Sequence, residues 1–192
     1  MKKLPTGMRS AKSWNGQRHT FTVHSICVGA HYAGLYYHYG IKKFDLDKKL
    51  FGIFPHQILK KTSPLFRGFN DEFLAPHSRA TDVNVSDVAA VPELEIMSLT
   101  KEGSLAIAKT KDSRQFFVTC HAEYDANTLA LEYNRDMEKG LTSVDLPINY
   151  FPDDDPTKAP VVTWRSTGQL LYSNWLNFYV YQSTPYDIKD IK

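Results

Sequence analysis

Apolar residues fall along this chain in two rhythms, short crowded runs and longer spaced ones. Phe21 to Cys27 gathers Phe, Thr, Val and Ile and predicts a short, largely buried strand. Ala33 to Tyr39, stopped by Gly40, predicts a helix, so Ser25 to Tyr37 (SICVGAHYAGLYY) reads as strand, tight turn and helix. Leu50 to Leu59, Leu94 to Leu99, Leu105 to Thr110 and Gln115 to Cys120 are β-rich runs separated by Asn, Asp, Gly, Pro and Ser, and predict further strands. Between Ala126 and Lys139 the set Leu129, Tyr133 and Met137 recurs at helical spacing, with Asp125 as a candidate cap and Gly140 just beyond. Asn149 to Pro160 is a Pro/Asp-rich loop, and Gly168 to Tyr181 predicts a second, strongly apolar helix. Residues 1–19 are polar and basic without a sustained period and read as a loose tail, leaving 20–192 as the folded part. Strands interleaved with helices predict an α/β layered fold, in which ligand sites gather at the carboxyl ends of strands. Cys27 and His121 both fall where such strands would end.

Composition narrows the partners more than the fold. A length of 192 residues suits one domain, and 23 Lys+Arg against 21 Asp+Glu leaves a formal charge of +2, which gives no reason to expect nucleic acid. No run approaches the roughly eighteen apolar residues a membrane span needs, and the basic start is followed by polar residues, so a soluble, cytoplasmic, non-secreted protein is expected. The two cysteines, Cys27 and Cys120, lie far apart, without the spacing of a disulfide scaffold or a zinc site, and no metal is expected.

The candidate chemistry centres on Phe116 to Asp125 (FFVTCHAEYD). An apolar strand ending in His121-x-Glu123 presents an imidazole with a carboxylate two residues on, positioned to orient it and stabilise its charge. With Cys27 this makes a candidate Cys-His-Glu triad, since a neighbouring histidine is the usual means of turning a thiol into a thiolate. The plain alternative is a packed cysteine and a hydrogen-bonded histidine. Cys120, next to His121 on the same strand, would face the other way and reads as a buried structural thiol.

Several motifs in fixed order carry a family resemblance: Ala33 to Gly40, Lys49 to Gly52 (KLFG), Arg67 to Arg79 (RGFNDEFLAPHSR), Val118 to Asp125, Asn149 to Pro152, Thr163 to Ser166 (TWRS) and Asn174 to Gln182 (NWLNFYVYQ). Over about residues 23–187 the chain resembles the homoserine O-acyltransferases of methionine biosynthesis (homoserine O-acetyltransferase and O-succinyltransferase), a branch related to class I glutamine amidotransferases. The resemblance implies a flavodoxin-like, class I glutamine amidotransferase-like layered sheet, with 20–192 as the carboxy-terminal part of the catalytic domain. It also implies acyl transfer from acetyl-CoA or succinyl-CoA, with acetyl favoured, to the hydroxyl of L-homoserine. Cys27 would be the acylated nucleophile, His121 the general base and Glu123 its partner, while Lys49, Ser78 and Arg135 match substrate-contacting positions. No cofactor beyond the co-substrate is implied, and the family commonly works as a homodimer.

Each of those substrate positions has a plain reading too. Lys49 sits in a charged turn, Arg135 lies beside Glu132 and Asp136 as for a surface ion pair, and Ser78 after Pro76-His77 suits a turn or cap. Asp153-Asp154-Asp155 beside Pro156 reads as a solvated loop. Two departures from the family pattern set further expectations. The segment that normally supplies the first strands and an oxyanion donor is replaced by the polar tail, which predicts a sheet lacking its amino-terminal strands. Where the family reads Cys-Trp-Gly-Ala-Gln-Ala-Gly-Leu, this chain has one residue more between Cys27 and Ala33; within a helix that rotates what precedes it by about 100°. The alternatives to a homoserine acyltransferase are an inactive fragment of one, an enzyme with serine as acceptor, and a glutamine amidotransferase-type enzyme.

Overall fold

The computed structural model describes residues 31–140 and 145–182, and the backbone of 25–28. Its elements are β1 (Ser25–Val28), α1 (His31–Tyr39), β2 (Lys43–Ile58), β3 (Glu72–Val83), α2 (Val85–Ala89), β4 (Leu94–Thr100), β5 (Leu105–Thr110), β6 (Gln115–Val118), α3 (Thr128–Glu138) and α4 (Arg165–Trp175). The strands form one sheet in the order β1-β6-β5-β4-β2-β3. Only β1 and β6 pair in parallel among the described strands; the remaining ladders are antiparallel.

Alternation along β6 shows how the layers are made. Phe116 and Val118 enter the core beneath α4, and Phe117 enters the opposite core beneath α1 and α2. This follows from the two-residue side-chain period of a strand, and a strand apolar on both faces needs cover on both. A third cluster, with Phe51, Ile53, Leu129, Tyr150 and Trp164, seats α3 and the loop before α4 against β2.

The expected α/β layering is present, with changes at the edges of elements. β2 starts at Lys43 rather than Leu50; its charged first half is largely exposed, so no hydrophobic pattern marks it before Leu50. β6 stops at Val118 rather than Cys120. Asp125 does not cap α3 with its side chain: Asn127 is the cap residue, without a side-chain bond, and Asp125 contributes only its carbonyl, 3.1 Å from the Thr128 N–H. On that helix Leu129 is buried while Met137 is 49% exposed, so the apolar stripe runs out toward the carboxyl end. The second predicted helix starts earlier, at Arg165, and continues as a π-helical turn over Leu176–Tyr181. The predicted tail at 1–19, and the start of the first predicted strand at Phe21 to His24, lie outside the described residues.

β3 is the element that the hydrophobic pattern hid, because Pro76 sits inside it. Position 76 faces Ile53, whose N–H goes to the Ile148 carbonyl at 2.8 Å instead of to β3. Residue 76 therefore belongs to the pairs whose polar groups point away from β2, where a missing N–H removes no ladder bond, and β3 is the last strand in the order. On the other side of β2, Gly52 (φ +138°) lets Ile148 lie against the strand; a Cβ there would meet the Ile148 backbone at 2.3 Å.

β2 and β3 also carry a buried imidazole pair. His56 and His77, both fully buried, share a hydrogen bond of 2.8 Å between their Nε2 atoms, and the His56 ring stacks on Phe73. One ring must donate and the other accept, so both cannot be protonated. Burial holds the pKa of His56 down at about 4 and that of His77 well below its ordinary value. Unfolding frees both rings to bind protons, so stability is complete above about pH 6.5 and falls as pH drops toward 4. Denaturant melts between about pH 7 and pH 4.5 should lose up to about 1.4 kcal/mol per pH unit for each such histidine. A profile that stays flat over that interval would contradict the neutral pair.

Candidate active site

β1 and β6 run in parallel, so their carboxyl ends point the same way, and the chain leaves them toward His31 on one side and His121 on the other. The segment after β6 is pinned by backbone bonds. Thr119 N–H reaches the Ala106 carbonyl at 2.9 Å, and His121 N–H reaches the outward-facing carbonyl of Pro76 at 2.8 Å. The sheet thus curls until the chain beyond β6 meets the free edge of β3, and His121 arrives beside Ser78 and Arg79.

The imidazole is held from two sides. His121 Nδ1 lies 2.8 Å from Glu123 Oε1, and the ring stacks on Tyr124 with centroids 4.4 Å apart. Glu123 Oε2 accepts a long bond of 3.5 Å from the Tyr172 hydroxyl on α4. Burial first, and then the Glu123 charge, raise the pKa of that phenol, so Tyr172 remains a donor. In the neutral tautomer that donates Nδ1–H to the carboxylate, Nε2 is the nitrogen with a free lone pair. The His121 side chain is 17% exposed, which admits a reactant while limiting water.

Tyr124 links this dyad to the predicted substrate positions. Its hydroxyl donates to Glu132 Oε1 at 2.9 Å, and the Ser78 hydroxyl donates to Glu132 Oε2. One turn along α3, Asp136 takes Lys49 Nζ at 3.4 Å and Arg135 Nε at 2.9 Å. Arg135, then Lys49, hold the Asp136 carboxyl below its ordinary range. Lys49 is also 4.0 Å above the centre of the Phe51 ring, so it is more constrained than a solvated lysine. Arg135 is half-exposed and paired with its neighbour, as the plain reading of it predicts.

Next to His121 lies a cavity of about 770 Å³, lined by His31, Tyr32, Ser78, Arg79 and Thr119 as well as His121. The structure therefore brings His121 and Ser78 to one cavity; Glu123 stands behind His121, and Lys49 and Arg135 lie on the α3 side. The Cys27 backbone is the third residue of β1, opposite Phe117. Its side chain lies outside the described residues. Cys120 is fully buried in the core under α4, where burial pushes its thiol up to about 12, in keeping with a structural role.

Sequence pattern did not single out Tyr124, Glu132, Tyr172, Arg79 or His31. Tyr124 alone had a local signal, three residues past His121 in the same short turn. The others join across long separations that only the folded chain closes.

The geometry can be set beside known proteins. The sequence matches the family model described as homoserine O-succinyltransferase over residues 8–186. The chain belongs to this family. A relative from Acetivibrio thermocellus named homoserine O-acetyltransferase is 52% identical over 185 residues, which cover 96% of this chain and 60% of the relative. One of the same name from Clostridium novyi is 54% identical over 170 residues, 88% of this chain and 55% of that one. The chain thus spans little more than half the length of these homoserine O-acetyltransferases. Among solved structures, a glutamine amido transferase from Methylobacillus flagellatus superposes with a TM-score of 0.60 over 91% of this chain and 70% of that one, at 14% identity, a likeness of fold alone. A class I glutamine amidotransferase-like α/β fold is thereby established. No described helix is long and apolar enough to cross a membrane.

The His121 turn depends on a close approach of α4. A Cβ on Gly168 would lie 2.3 Å from the Ala122 carbonyl oxygen, and backbone has little room to yield. Gly168→Ala should destabilise the protein by about 1–3 kcal/mol, seen as a lowered melting temperature. An unchanged melt would mean that α4 is not packed this tightly on the turn.

Proposed function

We propose that this chain transfers an acyl group, acetyl in preference to succinyl, from an acyl-coenzyme A thioester to the side-chain hydroxyl of L-homoserine, through an acyl-cysteine on Cys27. The observation that carries the reading is the His121–Glu123 pair, 2.8 Å apart and opening on a cavity large enough for a small acyl group and an amino acid. Family membership and the name homoserine O-acetyltransferase on relatives at about half identity support the substrate and the acetyl preference. The setting proposed is the cytoplasm and methionine biosynthesis, as a homodimer or a monomer.

In this mechanism His121 Nε2 takes the Cys27 thiol proton. The thiolate attacks the thioester carbon; a C–S bond forms and the carbonyl π pair moves onto oxygen. Collapse expels the coenzyme A thiolate, which takes the proton from the imidazolium. The homoserine hydroxyl then gives its proton to His121 as its oxygen attacks the acyl-cysteine, and Cys27 leaves as a thiolate that is reprotonated. Glu123 fixes the tautomer throughout. Ser78 lines the cavity and is assigned to the acceptor; Arg135 suits the amino-acid carboxylate once it exchanges Asp136 for it, and Lys49 is its neighbour on the same carboxylate.

The test is to incubate the chain with acetyl-CoA or succinyl-CoA, and with homoserine, serine or glutamine. O-Acetylhomoserine should form fastest, without ammonia release from glutamine. Cys27→Ala should abolish acyl-protein on mass spectrometry, and Glu123→Gln should slow turnover on the order of a hundredfold. Acyl-protein that survives in Cys27→Ala would overturn the nucleophile assignment.

A further inference from the structure

His31 opens α1, is 4% exposed, and offers both ring nitrogens to no hydrogen-bond partner among the described residues. Its ring packs edge-on against Tyr32 at 4.1 Å and borders the same cavity as His121. A buried imidazole left unsatisfied is costly where an apolar side chain would fill the space without penalty. An unpartnered donor at a cavity wall is the arrangement in which a bound ligand completes the bond.

Most of the other inner polar groups of that cavity are already engaged, Arg79 Nε excepted. Arg79 binds Asp82 and Tyr32, and the Tyr32 hydroxyl in turn donates to Asp82 at 3.0 Å. The Ser78 hydroxyl goes to Glu132, and that of Thr119 to the Leu105 carbonyl at 2.6 Å. Lys42 and Lys43 stand at the exposed rim. His121 keeps only its Nε2, which serves as the base. His31 therefore brings an uncommitted N–H to the inner wall, beside Arg79 Nε, the other buried nitrogen there without a partner among the described residues.

Resting on the acyl-transfer reading above, we propose that His31 donates a hydrogen bond to the carbonyl oxygen of the bound acyl thioester and stabilises the negative charge that develops there. Burial, with the Arg79 guanidinium and His121 nearby, keeps its pKa at about 3, so the ring acts as a neutral donor. A neutral N–H suits an oxygen that is uncharged in the ground state and anionic in the transition state, and the amino end of α1 adds to the favourable field. Only two positions of sequence, 29 and 30, separate the strand bearing Cys27 from this residue.

The experiment compares the full chain with His31→Phe and His31→Gln, using acetyl-CoA as the probe. Acylation is followed by mass spectrometry under single-turnover conditions, binding by calorimetry and stability by melting without ligand. His31→Phe should slow acylation about a hundredfold while melting at or above the wild-type temperature, because it removes an unsatisfied polar ring. His31→Gln, which keeps an N–H donor, should recover acylation to within about tenfold of wild type. Wild-type acylation in His31→Phe, or a lowered melt that glutamine does not remedy, overturns the assignment. Should acetyl-CoA bind without any acyl-cysteine forming, the Cys27 reading fails while His31 is judged on affinity. Binding at least about tenfold weaker in His31→Phe then supports it, and equal binding, or none by wild type, overturns it.

Discussion

One backbone hydrogen bond sets the geometry of the candidate site: His121 N–H to the carbonyl of Pro76. It ties the chain leaving β6 to the far edge strand of the sheet, which requires the sheet to curl. A flat sheet in this strand order would separate β6 and β3 by three intervening strands, each spaced about 4.8 Å from the next. Proline at position 76 is suited to the task, since it presents an outward carbonyl without an N–H beside it that would seek a partner of its own.

The curl also encloses charge. Arg79 and Asp82 are almost completely buried, and the guanidinium bonds Tyr32 on α1 and the Leu105 carbonyl on β5 as well as Asp82. Removing one member would strand the others in the interior, so the set acts as a lock on where α1 lies rather than as a large net source of stability. That lock matters because α1 follows directly on the strand of Cys27 and carries His31 into the cavity. Its positive charge also opposes protonation of His31, His56 and His77.

A second network runs from the His121 ring through Tyr124 and Glu132 to Ser78, with Asp136, Lys49 and Arg135 one turn further along α3. Residues that the family pattern assigns to substrate are thus connected to the histidine by one aromatic side chain and one helix. α4 closes the other side, with Tyr172 on Glu123 and Gly168 against Ala122.

Local pattern was enough for β4, β5, α1 and α3, and for the His121-x-Glu123 pair, because a two-residue offset at a strand end already brings imidazole and carboxylate within reach. It also read Cys120 correctly as a buried thiol. It missed β3, where Pro76 breaks the usual strand signal and only edge position makes proline acceptable, and the first half of β2, whose exposed charges carry no apolar period. The cap of α3 went to Asn127 rather than Asp125, since cap choice depends on backbone angles that composition does not report. The sequence by itself determined element types, a buried α/β core and the motif order that marks the family, all of which rest on near neighbours. Only the tertiary structure decided that Ser78, Arg79 and His31 share a cavity with His121. These contacts join residues 42 to 90 positions apart, and they exist because sheet curl and buried charge, not local propensity, bring them together.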